Sequence, residues 1–206
     1  MVLIDIHTHN IDTNPDTAIL NCPPYDTERR FSAGIHPWDI TGNWQERLRT
    51  IEELLGNSNC VAIGECGIDK LKSTADITLQ KVIFLAHAEL AEKAHLPLII
   101  HCVKAYEEVL AIRKECNPAQ AWIIHGFRGK IQMAEQLTKA GFYISLGEHF
   151  NPECARSIPL DRLLIESDES TVPIIETYRR IATIKETGVE QLAAQICSNA
   201  HAIGLF

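Results

Sequence analysis

Eight short apolar runs, residues 3–6, 17–22, 31–36, 60–65, 97–101, 121–125, 142–146 and 162–168, punctuate the chain, and most are separated by stretches of helical apolar spacing. Runs this short and this rich in β-branched and aromatic residues read as strands. They are nearly continuous rather than alternating, which is the pattern of a parallel sheet covered on its outer side by helices. Helices are predicted over 44–55, 74–94, 104–116, 130–140, 151–157, 172–185 and 189–203; in the first, Trp44, Leu48, Ile51 and Leu55 share a face and Gly56 closes it. Closed into a ring, this is an α/β fold, a TIM-like (β/α)8 barrel. At 206 residues the chain is shorter than the roughly 250 such barrels usually take. The shortfall lies between His9 and Phe31, where no helix is read on either side of the 17–22 run. A parallel crossover generally needs a dozen or more residues. The barrel is therefore expected to be reduced or irregular near its second strand.

The ends of these runs carry chemistry. Asp5-Ile6-His7-Thr8-His9 closes the first, and side chains two apart on a strand share a face, so His7 and His9 can offer two nitrogens to one ion. The third run ends in His36 before Pro37, the fourth in Glu65, the fifth in His101, the sixth in His125 and the last in Asp168. Barrel enzymes build their sites at that carboxyl rim. A lone strand-terminal histidine is more often a structural hydrogen-bonding residue, but seven metal-type side chains on one rim converge on a metal site. Cys66 and Cys102 directly follow Glu65 and His101, and strand alternation turns them away from the pore. His87, His95 and His201 fall in helices and are read as solvated or core-edge residues, while His149 lies in the loop after the seventh strand.

Composition limits the alternatives. With 46% apolar residues the chain can bury one substantial core, and a single domain over 1–206 is expected. No apolar run approaches membrane-spanning length and the chain starts without a charged leader, so a cytoplasmic protein with no membrane partner is expected. Seven cysteines without a Cys-x-x-Cys pair read as free thiols. The formal charge of −8 excludes the broad basic face of a duplex-coating protein. It leaves room for a small nucleic-acid substrate, because divalent cations in a cleft reverse the local sign.

The motifs Asp5-Ile6-His7-Thr8-His9, Gly34-Ile35-His36-Pro37-Trp38, Gly64-Glu65-Cys66-Gly67-Ile68-Asp69, Pro97-Leu98-Ile99-Ile100-His101, Ile124-His125-Gly126-Phe127-Arg128-Gly129 and Leu164-Ile165-Glu166-Ser167-Asp168 resemble, in order and spacing, those of the TatD family of metal-dependent hydrolases. The resemblance covers essentially the full length. It implies a divalent-metal enzyme from a family that includes several deoxyribonucleases. It further implies that His7, His9, Glu65 and Asp168 hold one ion, with Glu65 bridging to a second held by His101 and His125. Mixed imidazole and carboxylate ligands suit zinc, manganese, nickel or iron better than magnesium. Two such ions can activate a shared water, orient a phosphodiester and stabilise its leaving oxygen. Glu65 and Asp168 are then the catalytic carboxylates, with Asp168 the candidate general base. His36, outside the family's usual ligands, joins Lys104 and Arg128 as a candidate contact to the substrate phosphate.

The chain departs from the family pattern around the cleft. It has His101-Cys102-Val103-Lys104-Ala105 where the family usually has His-Ser-Arg-Asp-Ala, Asp168-Glu169-Ser170-Thr171 where Asp-x-Pro is usual, and a cut-down loop after the first strand. The expectation is a metal-dependent phosphodiesterase acting on single-stranded DNA or short oligonucleotides. The rivals are a hydrolase of the same barrel class acting on a small phosphomonoester, lactone or amide, and a metal-binding protein without turnover.

Overall fold

The computed structural model, which describes residues 1–206, contains eight strands, β1 (Asp5–Thr8), β2 (Ala18–Leu20), β3 (Phe31–Ala33), β4 (Cys60–Asp69), β5 (Leu98–Val103), β6 (Trp122–Ile124), β7 (Tyr143–Leu146) and β8 (Leu163–Ile165). All pair in parallel and in sequence order. Seven helices form where apolar spacing places them: α1 (Trp44–Leu54), α2 (Ile77–Ala94), α3 (Tyr106–Cys116), α4 (Ile131–Lys139), α5 (Pro152–Ser157), α6 (Ile174–Ile184) and α7 (Val189–Ala202). The result is the expected TIM-like α/β barrel, nearly closed. Its last seam is a single parallel bridge between Thr8 and Asp168, made by His9 N–H to Asp168 O (3.0 Å) and Asp168 N–H to His7 O (3.0 Å).

The arc from β1 to β3 is the thin part. No helix separates β1 from β2 or β2 from β3, and β2 meets β3 at one register pair, Leu20 with Phe31. Arg29 takes over the task of holding these connections. Its buried guanidinium donates to Ile11 O (2.6 Å), Thr13 O (2.9 Å) and Thr13 Oγ1 (3.0 Å), satisfying loop carbonyls that a crossover helix would otherwise have bonded internally.

Several strands end elsewhere than the apolar pattern predicts; β3 stops at Ala33, three residues short of His36, whose side chain instead caps the 3-10 turn that Pro37 begins. β4 runs four residues past Glu65, because β5 continues alongside it and Asp69 still pairs with Val103 after a register shift between Ile63 and Cys66. Gly64 (φ 134°) and Gly67 (φ 146°) make this possible: a Cβ at either would lie 2.4 Å from Ile99 O or 2.0 Å from His101 O. β8 stops at Ile165, and Glu166 to Asp168 leave the ladder before Asp168 rejoins β1.

The core is continuous from the barrel interior to the helix layer, where Trp122 stands edge-on to Phe84 (5.3 Å between centroids) and Phe142 (5.9 Å). One histidine was misplaced by sequence pattern. His87 is not a core-edge residue of α2: it is fully buried, its Nδ1 donates to Ile83 O (2.7 Å), and its Nε2 accepts from Ile35 N–H (3.0 Å), just beyond β3. Cys66 is fully buried in the core and Cys102 nearly so, as alternation predicts.

Candidate metal centre

Glu65 stands at the middle of the rim with a different group of imidazoles at each oxygen. Its Oε1 lies 2.6 Å from His101 Nδ1, 2.7 Å from His125 Nε2 and 3.2 Å from His36 Nε2. Its Oε2 lies 3.2 Å from His7 Nε2 and 3.5 Å from His9 Nε2. Asp168 Oδ1 completes the second side, 3.6 Å from His9 Nε2 and 4.0 Å from His7 Nε2. The six predicted metal ligands, contributed by β1 and the residue after it, β4, β5 and the segments after β6 and β8, therefore meet around Glu65.

What lies behind each ring decides which nitrogen keeps a lone pair. His9 Nδ1 donates to Asn21 O (2.5 Å), His101 Nε2 to Asp69 Oδ2 (3.1 Å) and His125 Nδ1 to Glu166 Oε1 (3.2 Å). Each therefore carries a proton on the outer nitrogen, and in the neutral ring the inner nitrogen turns a lone pair toward Glu65. This is the outer-partner arrangement that orients imidazole ligands and raises their basicity. His36 is sorted the other way. The Trp38 N–H donates to its Nδ1 (3.1 Å), so the proton sits on Nε2 and points at Glu65. Distance alone groups His36 with Glu65 and His101 as a ligand set, but a protonated nitrogen has no lone pair for an ion.

His7 supplies the strongest indication of what belongs here. It is completely buried, and neither ring nitrogen has a hydrogen-bond partner, since Glu65 Oε2 is near Nε2 but not aligned with it. A buried polar group without a partner costs about 1–3 kcal/mol. The inner nitrogens of His101 and His125, 2.6 and 2.7 Å from Glu65 Oε1, need either a second proton or a cation between ring and carboxylate, and a metal ion can take that proton's place. Residue types and geometry thus fit a divalent metal of the imidazole-preferring kind.

The electrostatics agree. Burial alone would push the Glu65 carboxyl up, yet His125, His101 and His36 hold it well below the usual carboxylate range. Burial would pull His125 down, but the Glu65 and Glu166 carboxylates carry it well above the ordinary histidine value. Glu166, fully buried, is likewise held low against its desolvation, chiefly by His125. Burial acts upward on Asp69 too, and donors from Trp38, Lys72, Leu71 and His101 bring it down to about 2. These groups are carboxylates and imidazoles poised as charge partners.

Asp168 adds backbone strain to its predicted ligand role, with φ at 55° in the left-handed region. Both of its backbone groups are held by β1, which fixes that conformation at the rim. Lys104 and Arg128 are exposed, make no ion pair, and line a cavity of about 530 Å³ beside the Glu65 cluster; His36 faces a second of about 270 Å³ directly over it. His149, largely exposed, belongs to a third cavity beyond Asp168 and stands apart from the cluster. Sequence reasoning left out Asp69, Glu166 and Asn21. Asp69 and Glu166 sat inside quoted motifs, and their acidity beside ligand positions was the available signal; the Asn21 carbonyl carried none.

The profile of the family described as TatD related DNase matches residues 7–203. An uncharacterized metal-dependent hydrolase, YabD, from Bacillus subtilis is 34% identical over 188 residues, 81% of this chain and 74% of that one. The 3'-5' ssDNA/RNA exonuclease TatD of Erwinia tasmaniensis is 32% identical over 147 residues, 66% of this chain and 56% of its own length. The crystal structure of YJJV, a TatD homolog from Escherichia coli K12, superposes with a TM-score of 0.84 at 17% identity, covering 99% of this chain and 98% of that one. With the profile spanning nearly every residue and the ligand rim assembled as described, this chain belongs to the TatD family of metal-dependent hydrolases.

Proposed function

We propose that the protein is a two-metal phosphodiesterase acting on single-stranded DNA or short oligonucleotides. The observation that carries this reading is the division of labour at Glu65, whose two oxygens face two separate sets of nitrogen ligands. His7, His9 and Asp168 with Oε2 would hold one ion, and His101 and His125 with Oε1 the other. Zinc, manganese, nickel or iron suits these donors. Such ions, when bound, lower the pKa of water and offset the charge of a phosphodiester in its transition state.

The remaining tasks fall to the chain. Asp168 has one oxygen toward His9 and a partly exposed side chain, which places a proton acceptor at the mouth of the site. His36 turns its Nε2–H inward and can donate to a phosphate oxygen. Lys104 and Arg128, both free of ion pairs and lining one cavity beside the cluster, can meet a phosphate next to the scissile one. A net charge of −8 and so few rim cations suit a short strand rather than a coated duplex. That a relative is named a 3'-5' ssDNA/RNA exonuclease supports the same class.

The deciding experiment is a metal-supplemented screen with single-stranded DNA, matched duplex, bis-p-nitrophenyl phosphate and a panel of small esters and amides across a salt series. Single strands should be cleaved in preference to duplex, with a salt slope corresponding to roughly two or three phosphates. Turnover of a small ester with no cleavage of any DNA would move the assignment to a small-molecule hydrolase, and internal cutting of duplex with a steep slope would also overturn it.

A further inference from the structure

Trp38 is a large aromatic residue left exposed (42%) in a chain that buries most of its apolar side chains, and it stands beside the metal centre. It is not a loose surface residue. It sits in the short 3-10 turn Pro37–Asp39, whose Pro37 carbonyl accepts from Ser73 Oγ (2.7 Å). Its indole N–H donates to Asp69 Oδ2 (2.6 Å), the same oxygen that receives His101 Nε2–H. The ring is set edge-on to His36 (4.6 Å between centroids, 81°) and His101 (5.6 Å, 77°). A rigid aromatic plate is thereby held in the open at the cost of leaving apolar surface in water.

Its surroundings indicate a ligand. Trp38 lines both the cavity over Glu65 and the neighbouring cavity that contains Lys72, Lys104 and Arg128. The Lys72 ammonium lies 4.3 Å from the ring centroid, so the ring already receives a cation and Lys72 makes no ion pair. Phosphate-sized positive groups on one side, a hydrogen-bond donor at His36 on the other, and a flat π face between them match the alternation of phosphate and base along a single strand.

We propose that Trp38 is the stacking platform for a nucleobase next to the scissile phosphate. The base takes the ring face, and the exposed Lys72 ammonium is released to pair with the flanking phosphate. A paired base has its faces covered by its neighbours, so this platform also selects single strands over duplex. The inference rests on the nucleic-acid reading above and specifies which group of that substrate the protein grips.

The test uses the full chain with Trp38→Leu and Trp38→Phe, an oligothymidylate, and an abasic strand of equal length and charge. Binding is followed in metal-free protein by quenching of tryptophan emission and by anisotropy of a labelled strand, cleavage is followed in metal-loaded protein, and metal content is measured separately. The wild type should prefer the base-bearing strand by roughly tenfold. Trp38→Leu should lose that preference, and Trp38→Phe, which keeps a stacking face but not the indole N–H, should retain most of it, with metal content unchanged in both. Equal preference in the wild type and Trp38→Leu overturns the platform while leaving a nuclease standing. Loss of metal in both variants overturns it in favour of a positioning role through Asp69 and His101. If the wild type binds and cleaves neither strand, the nucleic-acid reading itself falls, and the platform with it.

Discussion

Two histidines of this barrel, His7 on β1 and His87 on α2, are both completely buried, and they solve burial in opposite ways. His87 has a partner at each nitrogen, Ile35 N–H at Nε2 and Ile83 O at Nδ1, and it ties α2 to the end of β3. His7 has none at either. An imidazole satisfied by its own chain is part of the architecture; one left bare among carboxylates and other imidazoles is waiting for something the chain does not contain. Burial alone does not separate the two cases, whereas the accounting of donors and acceptors does.

The widest break in this comparison comes from Glu65, the only carboxylate in contact with both ligand groups. Glu65→Ala should lower activity by at least about a hundredfold and reduce bound metal, as each group loses the Glu65 oxygen that it faces. Activity assays with metal analysis check this, and full metal content with full rate would remove the reason for regarding His7 as a ligand.

The next test acts on the two histidines themselves. In metal-free protein near pH 8, His87→Leu should cost about 2 kcal/mol or more, because the Ile35 N–H is left unpaired. His7→Leu should change stability by less than about 1 kcal/mol while abolishing the stabilisation conferred by added metal. Chemical denaturation with and without a chelator reads both. Burial pushes His87 down from its ordinary 6.5 to about 4, so the unfolded chain takes up a proton that the native one refuses. Its contribution is complete above pH 6.5, declines as pH falls toward 4 and is lost below, a change of up to about 3 kcal/mol. The stability difference between the wild type and His87→Gln should shrink by that amount as pH falls through the window.

A smaller effect is expected one step out. Glu166→Gln and Asp69→Asn, each removing the charge behind one imidazole, should weaken metal binding about ten- to a hundredfold without preventing it. Equilibrium competition with a chromogenic chelator measures this. Smallest of all, Cys66→Ser and Cys102→Ser should leave metal content unchanged, since both thiols face the core.

The rim was legible in the sequence because strand ends are local: an apolar run stopping at a histidine or a carboxylate announces itself. The outer partners were not. Asp69 and Glu166 meet their rings 32 and 41 positions away in the chain, Asn21 meets its ring 12 positions away through a backbone carbonyl, and no periodicity records such meetings. The length of β4 was hidden for a related reason, since Gly67 just after Glu65 reads as a loosened strand end although it and Gly64 let two backbones approach closely. His87 could have been found. It shares a helical face with Ile83, Phe84, Ala88 and Ala91, all buried, and a polar side chain on such a face requires a partner.

The seam between Thr8 and Asp168 joins positions 160 residues apart in the chain. During synthesis His7 and His9 therefore leave the ribosome long before Asp168 exists, and their set of donors stays incomplete until β8 has been made and carried round to β1. A chain truncated ahead of β8 keeps Glu65, His101 and His125 yet has no way to seat Asp168 against His9. The seating of Asp168 against His9 is therefore tied to closure of the ring, so the carboxylate and imidazole at this seam come into register only when the last strand reaches the first.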